Sequence, residues 1–389
     1  MITKKQYSNR SLFIAGCMGM LIFGIVMAVL GSVLPSVIEK YGIDMVDAGT
    51  LFLVLNLGML IGSVIFGPLV DRYGYKGLLV MCAALVFASI EGIALAPGVN
   101  ILRISLFFVG FAGGAINGGT NALVSDISDG QRGARLSLLG VFFGIGALGV
   151  PLLLGSLLDR FAYESLIGFV GALILIPLLF FIFLKFPAPK HAQGFPVSEG
   201  LKLTREAPLL LFGLILFIQS GMEMTVSGWS ATYMNEYLAI SARQAVLFLS
   251  FYWTGMIFTR IAITSLLQKA ERRKVVLVSL LVSVAGTTII LMSNSVVMVV
   301  AGLLLTGIGF AAIFPLVFSY VGDLYPRLSG TAFSVILAIA LLGGMTYPSV
   351  VGILAENLDL RSAFMVAPVS LVISAVIFMV LSKRIASLK

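Results

Sequence analysis

Apolar residues run along this chain in twelve long blocks separated by short polar joints, near 11–38, 47–70, 76–97, 100–124, 134–158, 164–186, 207–236, 243–268, 274–293, 295–321, 330–357 and 361–383. A helix needs about 20 residues to cross a hydrocarbon core roughly 30 Å thick, and each block supplies that reach. Barrel strands would instead alternate apolar and polar over about ten residues. The pattern therefore predicts an all-α integral membrane protein with twelve transmembrane helices. The first block is too long for a cleavable signal, and no A-x-A-like site follows a short apolar core, so it is expected to stay in the mature chain.

The longest polar stretch, "PAPKHAQGFPVSEGLKLTRE" at 187–206, divides the blocks six and six. It predicts an N-terminal six-helix bundle over 1–186, a cytoplasmic linker over 187–206 and a C-terminal six-helix bundle over 207–389. Sliding the sequence on itself by 197 positions pairs Gly58-Met59 with Gly255-Met256. It also aligns Gly110 with Gly307, Ala115 with Ala312, Ile116 with Ile313, Val124 with Val321, Asp126 with Asp323 and Gly133 with Gly330. Ser137 with Ser334, Gly146 with Gly343, Pro151 with Pro348, Gly155 with Gly352 and Leu157 with Leu354 complete eleven identities in 48 positions. This is an internal duplication. An even number of helices per copy keeps both in one orientation, which predicts parallel repeats able to rock about a site held between them near the midplane.

Charge orients the helices. With both termini placed in the cytoplasm, nineteen of the 25 Lys and Arg residues fall on the inner side. Lys40, Arg103, Arg160, Arg243 and Arg361 fall outside, and Arg260 lies within a helix. That asymmetry predicts cytoplasmic termini in a cell inner (plasma) membrane. The composition agrees, with 59% hydrophobic residues, 11% charged residues and a mean hydropathy of +1.10, far from a soluble average.

The same distribution excludes several function classes. The net charge of +8 is spread over helix ends and forms no continuous basic face, so no nucleic-acid partner is expected. Cys17 and Cys82 fall in apolar helices and His191, the single histidine, in the polar linker, which leaves no metal site, no cofactor and no His-based catalysis to expect. No G-x-x-x-x-G-K-[ST] loop occurs. The chain reads as a monomeric carrier in a lipid bilayer, not an enzyme, drawing its energy from a gradient such as that of H+ or Na+, or from the substrate itself.

Between the second and third blocks stands "GPLVDRYGYKG", residues 67–77. The pattern Gly67-x-x-x-Asp71-Arg72-x-Gly74-x-Lys76 resembles the cytoplasmic signature of the major facilitator superfamily. The resemblance implies that family's fold of two six-helix repeats. It also implies a gating latch in which Asp71 faces the start of helix eleven near Gly330 and Arg72 is tied to Asp126, with Lys76 adding charge. The second copy reads Gln268, Lys269, Glu271 and Arg273 at the matching positions, so a single strong latch is expected. A purely topological role for these charges is the alternative.

Ionisable residues in hydrocarbon cost about 2.5–3.5 kcal/mol or more and need a partner or a task. Glu91 and Arg103 stand six residues either side of Pro97, at equal depth across a hairpin, and are expected to form an outer charge pair. Glu223 and Arg260 lie close to mid-membrane in the seventh and eighth helices. They form either a structural pair or a coupling site where the carboxylate carries a proton.

A narrower resemblance rests on "GMEMTVSGW" (221–229), "YWTGMIFTR" (252–260), "IFPLVFS" (313–319) and "LSGTAFSVILAIALLGGMTYP" (328–348), which look like helices of the fucose–proton symporter family. It implies cation-coupled monosaccharide uptake with Glu223 and Arg260 at family-pattern positions. "NGGTNALV" (117–124) and "GIVMAVLGSVLP" (24–35) follow the family in outline, but Asn117 and Gly31 replace its N-half acids. A pyranose offers hydroxyl edges and apolar faces, which suit amides, hydroxyls and aromatic rings. Asn56, Asn117, Asn121, Gln219, Ser220, Trp229, Tyr252 and Trp253 supply these groups and are the expected substrate contacts, although interhelical packing accounts for any one of them. The sequence thus points to uptake of a sugar or similar small polar metabolite. Export of amphipathic compounds or drugs by proton antiport, and a non-transporting membrane receptor, are the competing readings.

Overall fold

The computed structural model describes residues 8–127, 132–187, 206–325 and 329–387. Among them are twelve helices long and apolar enough to span a membrane, and no strand. In chain order these are α1 (Asn9–Tyr41), α2 (Met45–Phe66), α3 (Gly74–Ala94), α4 (Val99–Ile127), α5 (Leu138–Leu157), α6 (Tyr163–Phe183), α7 (Ala207–Tyr237), α8 (Ala242–Ile263), α9 (Arg272–Met292), α10 (Val296–Leu324), α11 (Val335–Asn357) and α12 (Leu360–Lys383). The all-α class and the number of spans expected from the hydropathy pattern are both present. Most of the 187–206 linker lies outside the described residues.

Between α2 and α3 the backbone kinks at Gly74, where φ is +69° and ψ 173°, a conformation a side chain would strain. Two other helices break for a different reason. α6 is interrupted at Ile174 and α12 at Met365, each three residues before a proline, Pro177 or Pro368. Proline lacks an N–H and its ring crowds the carbonyl four residues back.

The chain forms two compact units. One holds residues through Ser36 together with Val54 to the end of α6; the other holds Val37–Leu53 together with α7–α12. The end of α1 and the start of α2 thus pack in the second unit, although by sequence they belong to the first repeat.

Glycines set the closest helix crossings in each unit. A Cβ on Gly58 would strike the Phe107 carbonyl, and one on Gly110 the Leu55 carbonyl, so α2 and α4 touch backbone to backbone. In the second unit Gly255 meets the Leu304 carbonyl and Gly307 the Tyr252 carbonyl, joining α8 and α10 in the same way. Gly24 and Gly146 do this for α1 and α5; between α7 and α11 Gly343 meets the Phe217 carbonyl, while Gly221 lies against the Tyr347 ring. All four pairings differ by 197 positions, and Gly24 with Gly221 adds a match to those found by identity. Small residues admit this approach where lipid gives helices no hydrophobic drive to associate.

Gly307→Ala is expected to destabilise by about 1–3 kcal/mol, because its new methyl group has only the Tyr252 backbone to push against. Gly149→Ala, whose Cβ meets nothing within 4 Å, should be neutral. Thermal unfolding of both variants in detergent checks the contrast.

Candidate functional site

In the first unit the polar residues gather on α4. Asn121 Nδ2 donates to both the backbone oxygen and Oδ1 of Asn117, each at 2.9 Å, and lies 3.9 Å from Met20 Sδ of α1. The two half-buried amides stand one turn apart, which places them on one helix face. Their mutual bond leaves Asn117 Nδ2 as donor and Asn121 Oδ1 as acceptor. Asn56 on α2 is 1% exposed.

Glu91, expected to form an outer charge pair with Arg103, reaches α6, where its carboxylate occupies the space beside Gly168 and Gly171. Two glycines one turn apart leave room for a carboxylate there, and that space decides the rotamer.

At the opposite end of the unit, Tyr75 Oη donates to Asp126 Oδ2 at 2.9 Å and Lys76 is exposed. The side chains of Asp71 and Arg72 lie outside the described residues. The second unit holds the counterpart of Tyr75 and Asp126 at the 197 offset. Arg272 pairs with Asp323 at 2.8 Å, donates to Ser319 Oγ at 2.8 Å and lies 4.7 Å from the Tyr320 ring centroid. The second repeat thus carries an exposed charged clasp of its own, at the position equivalent to Tyr75 within the motif.

In the second unit α7 carries Gln219, Ser220 and Glu223, and α8 carries Tyr252, Trp253 and Arg260. Gln219 is 1% exposed; its Nε2 reaches the Phe310 carbonyl of α10 at a long 3.4 Å, and its Oε1 has no partner among the described residues. Tyr252 is fully buried, edge-on to Trp253 (centroids 5.0 Å apart) and to Phe310 (6.2 Å), and its hydroxyl likewise finds no partner. Thr225, Ser230 and Thr232 on α7 share this state. A helical Thr or Ser hydroxyl can turn onto the carbonyl one turn back, whereas Tyr252 and Gln219 reach no such local acceptor or donor. Glu223, Tyr252 and Arg260 are close enough to act on one another electrostatically. Ser220 of α7 is half-buried.

Trp229, expected among the substrate contacts, is fully buried, donates Nε1–H to the Pro348 carbonyl of α11 at 3.1 Å and lies 5.8 Å from the Phe52 ring. Sequence reasoning passed over Tyr347, whose hydroxyl donates to Ser370 Oγ at 3.1 Å and whose ring packs on Gly221 and on Phe217. The signal was its place directly before Pro348. Among the described residues no cluster of three or more His, Cys, Asp or Glu could hold a metal.

The sequence matches the family model described as Major Facilitator Superfamily over residues 16–271 and 211–387. The transporter y4wD of Sinorhizobium fredii is 28% identical over 370 residues, covering 94% of this chain and 97% of its own. The glucose/mannose transporter GlcP of Bacillus subtilis is 21% identical over 345 residues, covering 85% and 84%. Among solved structures, that of a D-xylose–proton symporter superposes with a TM-score of 0.80 at 15% identity, covering 95% of this chain and 97% of that one. At that identity the likeness concerns the fold.

The Arg272–Asp323 pair is 34% and 53% exposed, and exposed pairs contribute about 0.2–1 kcal/mol. A double-mutant cycle with Arg272→Ala and Asp323→Ala, read by thermal unfolding, should return a coupling in that range that shrinks as salt rises.

Proposed function

This chain belongs to the Major Facilitator Superfamily, and on that premise we propose that it takes up a monosaccharide or similar small polar metabolite by alternating access, driven by a proton or sodium gradient. The observation that carries the reading is the pair of buried polar atoms on α7 and α8, Gln219 Oε1 and Tyr252 Oη, which have no partner within the described protein. A buried polar atom left unmade costs about 1–3 kcal/mol. A hydroxylated ligand offsets that cost, since a sugar hydroxyl donates to the amide oxygen and accepts from the phenol. Trp253 and Phe310 frame the same place with apolar surface suited to a pyranose face. The Asn117–Asn121 pair of the first unit offers a donor and an acceptor of the same uncharged kind.

Glu223 is the acid proposed to couple transport to the gradient, with Arg260 holding the site neutral overall when the carboxylate is ionised. The names of the glucose/mannose relative and the xylose–proton symporter support this substrate class and this coupling. The protein is proposed to act as a monomer in the cell inner (plasma) membrane with both termini cytoplasmic. One observation favours the reverse direction: Gly31 and Asn117 leave the first repeat without the acids of the symporter pattern. Export of an amphipathic compound by proton antiport is the second reading.

Counterflow in proteoliposomes against a panel of monosaccharides, with and without sodium and at acid and neutral pH, should show exchange for at least one sugar. A full panel of failures, with exchange of an amphipathic cation instead, selects the exporter. Glu223→Gln is expected to abolish accumulation against a gradient while sparing exchange; unchanged accumulation removes Glu223 from coupling. Tyr252→Phe, losing one hydrogen bond, should raise the half-saturating concentration about two- to tenfold with exchange otherwise retained.

A further inference from the structure

The joint between α1 and α2 turns on Gly42, at φ +59°. α2 then starts with a local cap: Asp44 Oδ1 accepts the Asp47 N–H at 2.7 Å. That bond leaves the first N–H of the helix, on Met45, to be satisfied elsewhere. Glu356 does so from the last turn of α11, accepting the Met45 N–H on Oε2 at 3.1 Å across 311 residues of sequence. A carboxylate there also faces the positive end of the α2 dipole.

Below this cap the two helices run antiparallel in close register. A Cβ on Gly352 would strike the Met45 carbonyl and stand 3.1 Å from Gly49 Cα. One on Gly49 would stand 3.2 Å from Ser349 Cα. Ser349 Oγ is 3.2 Å from the Gly49 carbonyl and 2.9 Å from that of Met345, so one hydroxyl serves both helices. One turn deeper Phe52, 1% exposed, packs on Gly228 and Trp229 of α7. Met45, Gly49 and Phe52 are thus the contacting stripe of α2, and Glu356, Gly352 and Ser349 answer it in reverse order.

We propose that residues 45–52 form a releasable latch on α7 and α11, and that Glu356 sets how firmly it holds by capping α2 from a distant helix. The inference rests on the alternating-access reading, which requires helices of the first repeat to part from those of the second on this face once per cycle. The contact is suited to release. Where α2 meets α11 it runs through backbone, Gly49, Gly352 and the Ser349 hydroxyl. The Glu356 carboxylate that caps α2 is exposed, so water can solvate it once freed. The Met45 N–H loses its partner on release, which makes Glu356 the residue whose removal most favours the open latch.

The test needs no transported substrate. In a chain with Cys17 and Cys82 replaced by Ser, Ala48→Cys places one thiol at a fully buried position of the latch. A membrane-impermeant maleimide is applied to reconstituted protein on the side where Gly42 lies. Adding Glu356→Ala is expected to speed labelling about two- to tenfold, the range set by losing one helix cap. Glu356→Gln, which keeps an oxygen acceptor, should fall between it and the parent. Size-exclusion profiles establish that each variant is folded. Equal labelling rates in the parent and Glu356→Ala, or no labelling of any variant, overturn the latch. A failed sugar panel alongside the expected labelling order rejects the substrate class and leaves the latch standing.

Discussion

Hydrocarbon offers a peptide group nothing to bond with, so each backbone N–H and C=O in a span must be answered by its own helix. That requirement makes the fold all-helical and sets the terms on which helices meet. With the backbone satisfied internally and lipid as apolar as leucine, close contact is the remaining source of cohesion. The chain meets this with glycine against carbonyl at Gly58, Gly110, Gly24 and Gly146, and 197 residues later again at Gly255, Gly307 and Gly343. The crossings fix helix depth to within a turn. They also hold Tyr252, whose carbonyl lies beneath Gly307, at the level where its hydroxyl is buried.

Polar side chains obey the same requirement, and the exceptions mark the candidate site. Ser227, Ser283, Thr287 and Thr306 each bond to the carbonyl four residues back and so vanish into the helix that carries them. Gln219 and Tyr252 have no such escape, because their polar atoms sit too far from their own backbone. Their grouping with Glu223 and Arg260 concentrates unsatisfied and charged groups on two helices of one repeat. Asn117 and Asn121 of the first repeat satisfy each other in part and carry no charge. At the 197 offset the positions equivalent to Glu223 and Arg260 are Val26 and Ser63, so the two copies differ in charge there.

Much of this architecture was legible from hydropathy and from one fixed offset, because span length and helix-crossing glycines are local properties that survive duplication. Gly58 and Gly255, matched at that offset, mark the duplication, and each stands at a helix crossing. What stayed illegible are contacts that a three-dimensional neighbour decides. The Glu91 carboxylate sits in the space beside Gly168 and Gly171. The Trp229 N–H goes to the Pro348 carbonyl. Arg272 escaped notice because the motif compares the Asp71, Arg72, Gly74 and Lys76 positions and skips Tyr75. The bond from Met45 to Glu356 joins residues no periodicity could associate.

The interruptions at Ile174 and Met365 carry a consequence for life in a real membrane. Pro177 and Pro368 deprive the Leu173 and Phe364 carbonyls of their usual donors, so the final helix of each repeat has a weak joint part-way along its length. Bilayers differ in thickness by a few ångströms, and spans adapt by tilting or kinking. These two joints yield before an unbroken helix does. Mismatch strain is thereby drawn into α6 and α12, which bear none of the candidate site residues, and α7 and α8 keep their geometry as the surrounding lipid changes.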